Sequence, residues 1–154
     1  MSTIESRLAD MGITIPEPPK PVASYVGYVK HGDMVFVSGQ TPMVNGKVTH
    51  QGLLGRDVSL EDAVSEAQVC AINILAQIKN ACDGDLERIV KCIRLGGFVA
   101  STPDFTDHPK VVNGASDFMG TVLGERGEHS RAAVGVAALP LNCCVEVDAI
   151  FAIG

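Results

Sequence analysis

Residues 59–79 read S-L-E-D-A-V-S-E-A-Q-V-C-A-I-N-I-L-A-Q-I-K. In this run Ala63, Ala67, Cys70, Ile74 and Ile78 recur at helical spacing, flanked by Val64, Ala71 and Leu75. Ser59 stands where an N-cap belongs, and Asp62, three residues on, completes a weak capping box. A long helix with one apolar stripe must lie on something, and the segments on either side supply it. Upstream, S-Y-V-G-Y-V-K (24–30) and M-V-F-V-S-G-Q (34–40) are β-rich, His31-Gly32-Asp33 between them is a natural hairpin turn, and Asn45-Gly46 marks another. Downstream, Asp83-Gly84-Asp85 ends the helix and I-V-K-C-I-R-L-G-G-F-V-A (89–100) alternates like a strand. Gly96 and Gly97 there suggest a bulge or a close backbone approach.

Asp107 and Pro109 open a second helical pattern, with Val111, Ala115, Phe118, Met119 and Val122 on one side and Gly124 near its end. Two strands follow, R-A-A-V-G-V-A-A-L-P-L from Arg131 and the alternating stretch Val145 to Ile153. The order β-β-(β)-α-β-α-β-β predicts an α+β fold, a sheet covered on one face by two helices. Ahead of it, Ile4, Leu8 and Met11 give a short amphipathic helix that Gly12 and the Pro16 to Pro21 stretch stop. Residues 1–20 are therefore expected to be an appendage on a single domain spanning 1–154.

The chain has 154 residues, 46% hydrophobic and 19% charged, with a net charge of −6 and no Lys/Arg cluster, which disfavours nucleic acid as a partner. The first dozen residues carry Glu5, Arg7 and Asp10, so no signal-peptide core is present, and the apolar runs are too short for a membrane span; a cytoplasmic protein is expected. Cys70, Cys82, Cys92, Cys143 and Cys144 are odd in number and lack a C-x-x-C pair, while His31, His50, His108 and His129 have no partner at i+2 or i+4. No metal and no cofactor is called for. G-L-L-G-R reads as a plain loop, and the vicinal Cys143-Cys144 reads as packing.

What remains is a small set of polar groups. On an alternating strand Arg131 shares its face with Ala133, Gly135 and Ala137, too small to cover it, so a planar carboxylate has room in front of the guanidinium; the plainer alternative is an ordinary ion pair at a strand end. Two helices cannot cover both sides of the sheet, and this face is expected to be the uncovered one and to meet ligand or a second copy of the chain. Glu146 lies on the polar phase of the last strand, where it can hold or activate a water. Asn113 on the second helix and Tyr25 on the first strand add neutral hydrogen-bonding groups. Ser38, where a strand gives way to a turn, reads as bonded to backbone, since no His partner supports a nucleophile.

Taken together, S-Y-V, V-S-G-Q-T-P, V-V-N-G-A-S-D and S-R-A-A-V-G-V-A-A-L-P-L…V-E-V-D-A-I resemble the RidA (YjgF-like) family of reactive imine deaminases, in order from about Pro21 to Ile153. The resemblance implies a chorismate-mutase-like fold with a mixed β-sheet, built into a homotrimeric barrel with sites at the subunit interfaces. It also implies hydrolysis of 2-imino or 2-enamino acids, such as 2-aminoacrylate or 2-iminobutanoate, to 2-keto acids and ammonium. Arg131 matches the family's carboxylate anchor and Glu146 the acid beside the catalytic water. Tyr25, Ser38, Gly39 and Asn113 match the pocket wall, with backbone groups near Ala133. The chain departs where Ala133 replaces a Cys and Gly135 an acidic residue, which marks a divergent branch. Two other readings are a non-catalytic module binding small carboxylates on the same fold and, less favoured by the charge, the endoribonuclease role attached to some relatives.

Overall fold

The computed structural model describes residues 2–21 and 23–154. In chain order the elements are α1 (Ile4–Asp10), β1 (Tyr28–His31), β2 (Met34–Gln40), β3 (Met43–Val44), β4 (Lys47–Val48), α2 (Leu60–Ala81), β5 (Ile89–Ala100), α3 (His108–Leu123), β6 (Ser130–Val136) and β7 (Val145–Ile153). The main sheet has the order β1-β2-β7-β5-β6, antiparallel except for the parallel pair β5 and β6. This is the expected α+β arrangement, a mixed sheet backed by α2 and α3. β3 and β4 form a separate hairpin whose turn residues Asn45 and Gly46 both have positive φ, as a two-residue primed turn demands.

The helices form where their stripes predict. Ser59 caps α2 by accepting the Asp62 N–H at 3.1 Å, and Ala63, Ala67, Cys70, Ile74 and Ile78 are fully buried. Pro109 sits in the first turn of α3, where its missing N–H costs nothing, and Val111, Ala115, Phe118, Met119 and Val122 are buried below it. The helices cross at Gly114, where a Cβ would collide with the Val64 carbonyl. On β7, Val145, Val147, Ala149, Phe151 and Ile153 are buried beneath the helices, while Glu146, Asp148, Ile150 and Ala152 turn to the opposite face. That opposite face is uncovered in the protomer and carries Phe36 and Val134, 44% and 45% exposed.

Three expectations are corrected. The N-terminal helix is no appendage, because Ile4 and Leu8 are buried in the main core, Glu87 accepts the Ile4 N–H at 2.6 Å, and Arg7 donates to the Val122 carbonyl at 3.0 Å. Tyr25 lies in a bend ahead of β1 rather than on the first strand, since the strand begins only at Tyr28. The ladder irregularities of β5 fall at Ile89/Lys91 and Cys92/Arg94, not at the glycines. Gly96 and Gly97 serve close approach instead, the first beneath Asp148 and the second beneath Val112 of α3.

Candidate functional site

Arg131 sits near the start of edge strand β6, and its surroundings overturn one expectation. The register Leu95↔Arg131, Gly97↔Ala133 and Val99↔Gly135 puts Arg131, Ala133 and Gly135 on the helix-covered face, not the uncovered one. The small residues admit the N-terminal half of α3, and a Cβ at Gly135 would run into His108. The guanidinium is therefore held rather than bare. Nη1 donates to Asn113 Oδ1 at 2.8 Å and to Ser116 Oγ at 3.0 Å, and Nη2 donates to the Pro109 carbonyl at 3.1 Å.

All three acceptors are neutral. The arginines paired to carboxylates among the described residues are Arg56, Arg88, Arg94 and Arg126, so Arg131 keeps its charge uncompensated at close range. Its bonds use three of the five guanidinium N–H groups. Nε–H and one hydrogen of Nη2 have no acceptor among the described residues. A partly exposed cation of this kind is set up to grip an anion.

Glu146 occupies the other side of the sheet, cross-strand from Phe98. The β2–β7 register shifts between Val37 and Gln40, and this bulge carries Gly39 beneath the Glu146 carboxylate, where any Cβ would collide. Burial pushes the Glu146 carboxyl above its ordinary range, and the neighbouring Asp148 pushes it the same way. Ser38 donates its hydroxyl to the Val26 carbonyl at 2.6 Å, the backbone attachment read from the sequence.

Tyr25, Gly39 and Glu146 line one cavity of about 1170 Å³, walled by the chain around Ile13 to Pro21, the β3–β4 hairpin, α2 and Leu141. Two buried amides fasten these walls. Asn73 donates to the Thr41 and Met43 carbonyls, both at 3.0 Å, and Gln77 donates to the Pro19 carbonyl at 3.2 Å.

The seven candidate residues thus fall into two groups. Arg131, Asn113 and Ala133 gather where β6 meets α3, whereas Tyr25, Ser38, Gly39 and Glu146 gather where β2 meets β7. Strand β5 separates β6 from β7, and Arg131 and Glu146 point to opposite faces, so the two groups do not converge within one protomer. Sequence reading missed Ser116, although it follows Asn113 by three residues and so shares its helix face. It missed the Pro109 carbonyl and the N-terminal wall of the cavity for a different reason: backbone acceptors and long-range docking leave no residue-type signal.

The cysteines stay outside this chemistry. All five are free and buried, and burial pushes the thiols of Cys143 and Cys144 up to about 12, too high for a thiolate nucleophile. Among the described residues no group of three or more His, Cys, Asp or Glu side chains is placed to hold a metal ion. No described helix is long and apolar enough to cross a membrane.

Residues 5–152 match the family model described as "YjgF/chorismate_mutase-like, putative endoribonuclease". Protein TCP17 of Trypanosoma cruzi is 41% identical over 150 residues, covering 96% of this chain and 92% of that protein. The crystal structure of Atu1372 from Agrobacterium tumefaciens, a protein of unknown function, is 50% identical with a TM-score of 0.92, covering 98% of this chain and 92% of that one. E. coli TdcF, solved with bound serine, shares the fold at 24% identity and a TM-score of 0.64, covering 90% of this chain and 94% of that one.

Proposed function

The chain belongs to the YjgF/RidA (RutC) family, and from that premise we propose that it hydrolyses small 2-imino or 2-enamino acids to 2-keto acids and ammonium. The observation that carries the reading is the Arg131 guanidinium, held by three neutral acceptors with two N–H groups to spare. A cation whose protein partners are uncharged keeps its attraction for a substrate carboxylate, which a protein carboxylate would otherwise satisfy. The serine bound to TdcF has the matching α-carboxylate and nitrogen.

Water adds to the imine carbon, giving a carbinolamine, and its C–N bond then breaks to leave the 2-keto acid and ammonia, which takes a proton to become ammonium. Glu146, as carboxylate, accepts a proton from the attacking water and returns it to the departing nitrogen. Its raised proton affinity suits both tasks. Orientation and one proton-transfer group supply the acceleration such a reactive substrate needs, on the order of 10²–10⁴-fold for the proton transfer.

Arg131 and Glu146 lie on opposite faces of one sheet, and the homotrimer that the family resemblance implies supplies a way to unite them, with the complete site formed between protomers. In that arrangement the β6 edge of one subunit, carrying Arg131, would abut the Gly39–Glu146 region of the next. Tyr25, Ser38 and Asn113 complete the wall, and Ala133 contributes backbone.

The test is release of 2-ketobutyrate from 2-iminobutanoate generated in place by threonine dehydratase. The wild-type chain should accelerate release and Arg131→Ala should abolish the effect; unchanged rates would overturn the reading. Saturable, Arg131-dependent binding of 2-ketobutyrate with no turnover of any imine would point instead to a carboxylate-binding module. The departures at Ala133 and Gly135 motivate that second reading. The net charge of −6 speaks against RNA as substrate.

A further inference from the structure

We propose that Ser116 and His129 are positioning residues that lock the Arg131 guanidinium through a one-way relay of hydrogen bonds, and so set the site's affinity for carboxylate. The proposal rests on Arg131 as the carboxylate anchor and adds two residues to which the resemblance gives no role.

The relay starts at a group that can only accept. His129 Nδ1 lies 2.6 Å from the Gly127 carbonyl oxygen, so Nδ1 carries the hydrogen. In the neutral ring Nε2 is then an acceptor, and the Ser116 hydroxyl, 2.8 Å away, donates to it. With its hydrogen committed there, Ser116 Oγ presents lone pairs to Arg131 Nη1 at 3.0 Å. Each donor points one way along the chain, from Arg131 through Ser116 and His129 to the Gly127 carbonyl.

The end of the relay is fixed by packing. Gly127 lies against the last turns of α3, where a Cβ would collide with the Met119 carbonyl. At the other end of α3 the Pro109 carbonyl holds Nη2 at 3.1 Å, so the guanidinium is clamped from both halves of the helix. A long, flexible side chain is thereby ordered during folding rather than when substrate arrives. The Ser116–His129 pair also has the outline of a nucleophile and its base. Two features assign it the supporting role instead: Nδ1 faces a carbonyl where an orienting carboxylate would stand, and the Oγ lone pairs face a guanidinium.

The experiment uses the full chain, with 2-ketobutyrate as the binding probe in calorimetry and 2-iminobutanoate as substrate. Ser116→Ala and His129→Ala should each raise KM and weaken 2-ketobutyrate binding about three- to tenfold, the size of one hydrogen bond, while kcat stays within about twofold. His129→Gln, whose amide oxygen can stand in for Nε2 as acceptor, should recover most of the binding, and it also serves as probe if His129→Ala fails to fold. Unchanged KM and binding in both alanine variants, with Arg131→Ala still abolishing binding, would remove the relay and leave the anchor. A collapse of kcat at unchanged KM in Ser116→Ala would place Ser116 at the reacting atoms and overturn the positioning role. A wild-type chain that neither binds the probe nor depends on Arg131 would overturn anchor and relay together.

Discussion

At Gly39 the missing side chain is what allows the Glu146 carboxylate to lie across the bulged end of β2. Gly39→Ala should push that carboxylate aside and lower kcat roughly tenfold or more while the protein stays folded, as circular dichroism and the turnover assay together would show. In the proposed role Glu146 must be ionised to take a proton from water, and its burial raises the pH at which it ionises. The acidic limb of the kcat/KM profile should therefore lie above the ordinary glutamate value of 4.5, with activity lost as pH falls through it.

Glu66 offers a stability test at the same scale. It is 5% exposed, its Oε2 has no hydrogen-bond partner among the described residues, and burial pushes its carboxyl above 4.5, a rise only partly offset by His50. Between 4.5 and the raised value the folded state binds more protons than the unfolded chain, so this residue's contribution falls as pH rises through that window. Glu66→Gln should raise Tm at pH 7.5 by about 2–4 °C per kcal/mol relieved, and the difference from wild type should shrink below pH 4.5. Individual candidate residues were legible in the sequence by type alone. Arg131 stood out because its neighbours are small, and its acceptor Asn113 was also singled out, but the other two acceptors were not, since one is a backbone carbonyl and the other a common serine.

Among the elements, the helices could be read almost residue by residue, because burial of a stripe at fixed spacing is a local property of the chain. Strand faces could be read only in part. Alternation says that Arg131, Ala133 and Gly135 share a side, but which side the helices cover depends on β6 pairing in parallel with β5, a contact between distant segments. Tyr25 fell outside β1 for a related reason. The space beside Gly27 is filled by the buried Gln77 amide, whose task is to hold the Pro19 carbonyl. The N-terminal helix was legible as a helix yet not as core, because three apolar residues reveal nothing of the niche beside α3 that receives them. Ile4→Ala should cost about 2–4 kcal/mol in denaturant unfolding, far more than removal of a dangling segment would. Gly114→Ala, forced against the Val64 carbonyl, should cost about 1–3 kcal/mol by separating α2 from α3.

For the whole molecule, the uncovered sheet face is the dominant surface. Phe36 and Val134 lie on it exposed, alongside the Arg94–Asp148 pair at 3.5 Å. An apolar surface of this kind on one side of a sheet is ordinarily hidden by association. Sedimentation should give three times the 16.2 kDa protomer mass, and a stable monomer at micromolar concentration would exclude the composite site. If the proposed site draws Arg131 from one subunit and Glu146 from the next, two inactive proteins should revive each other. If Arg131→Ala and Glu146→Gln chains are unfolded and refolded together in equal amounts, some neighbouring pairs will match an intact arginine with an intact glutamate. Random mixing in a ring makes that fraction about one quarter, so roughly a quarter of native turnover should return from two inactive parents.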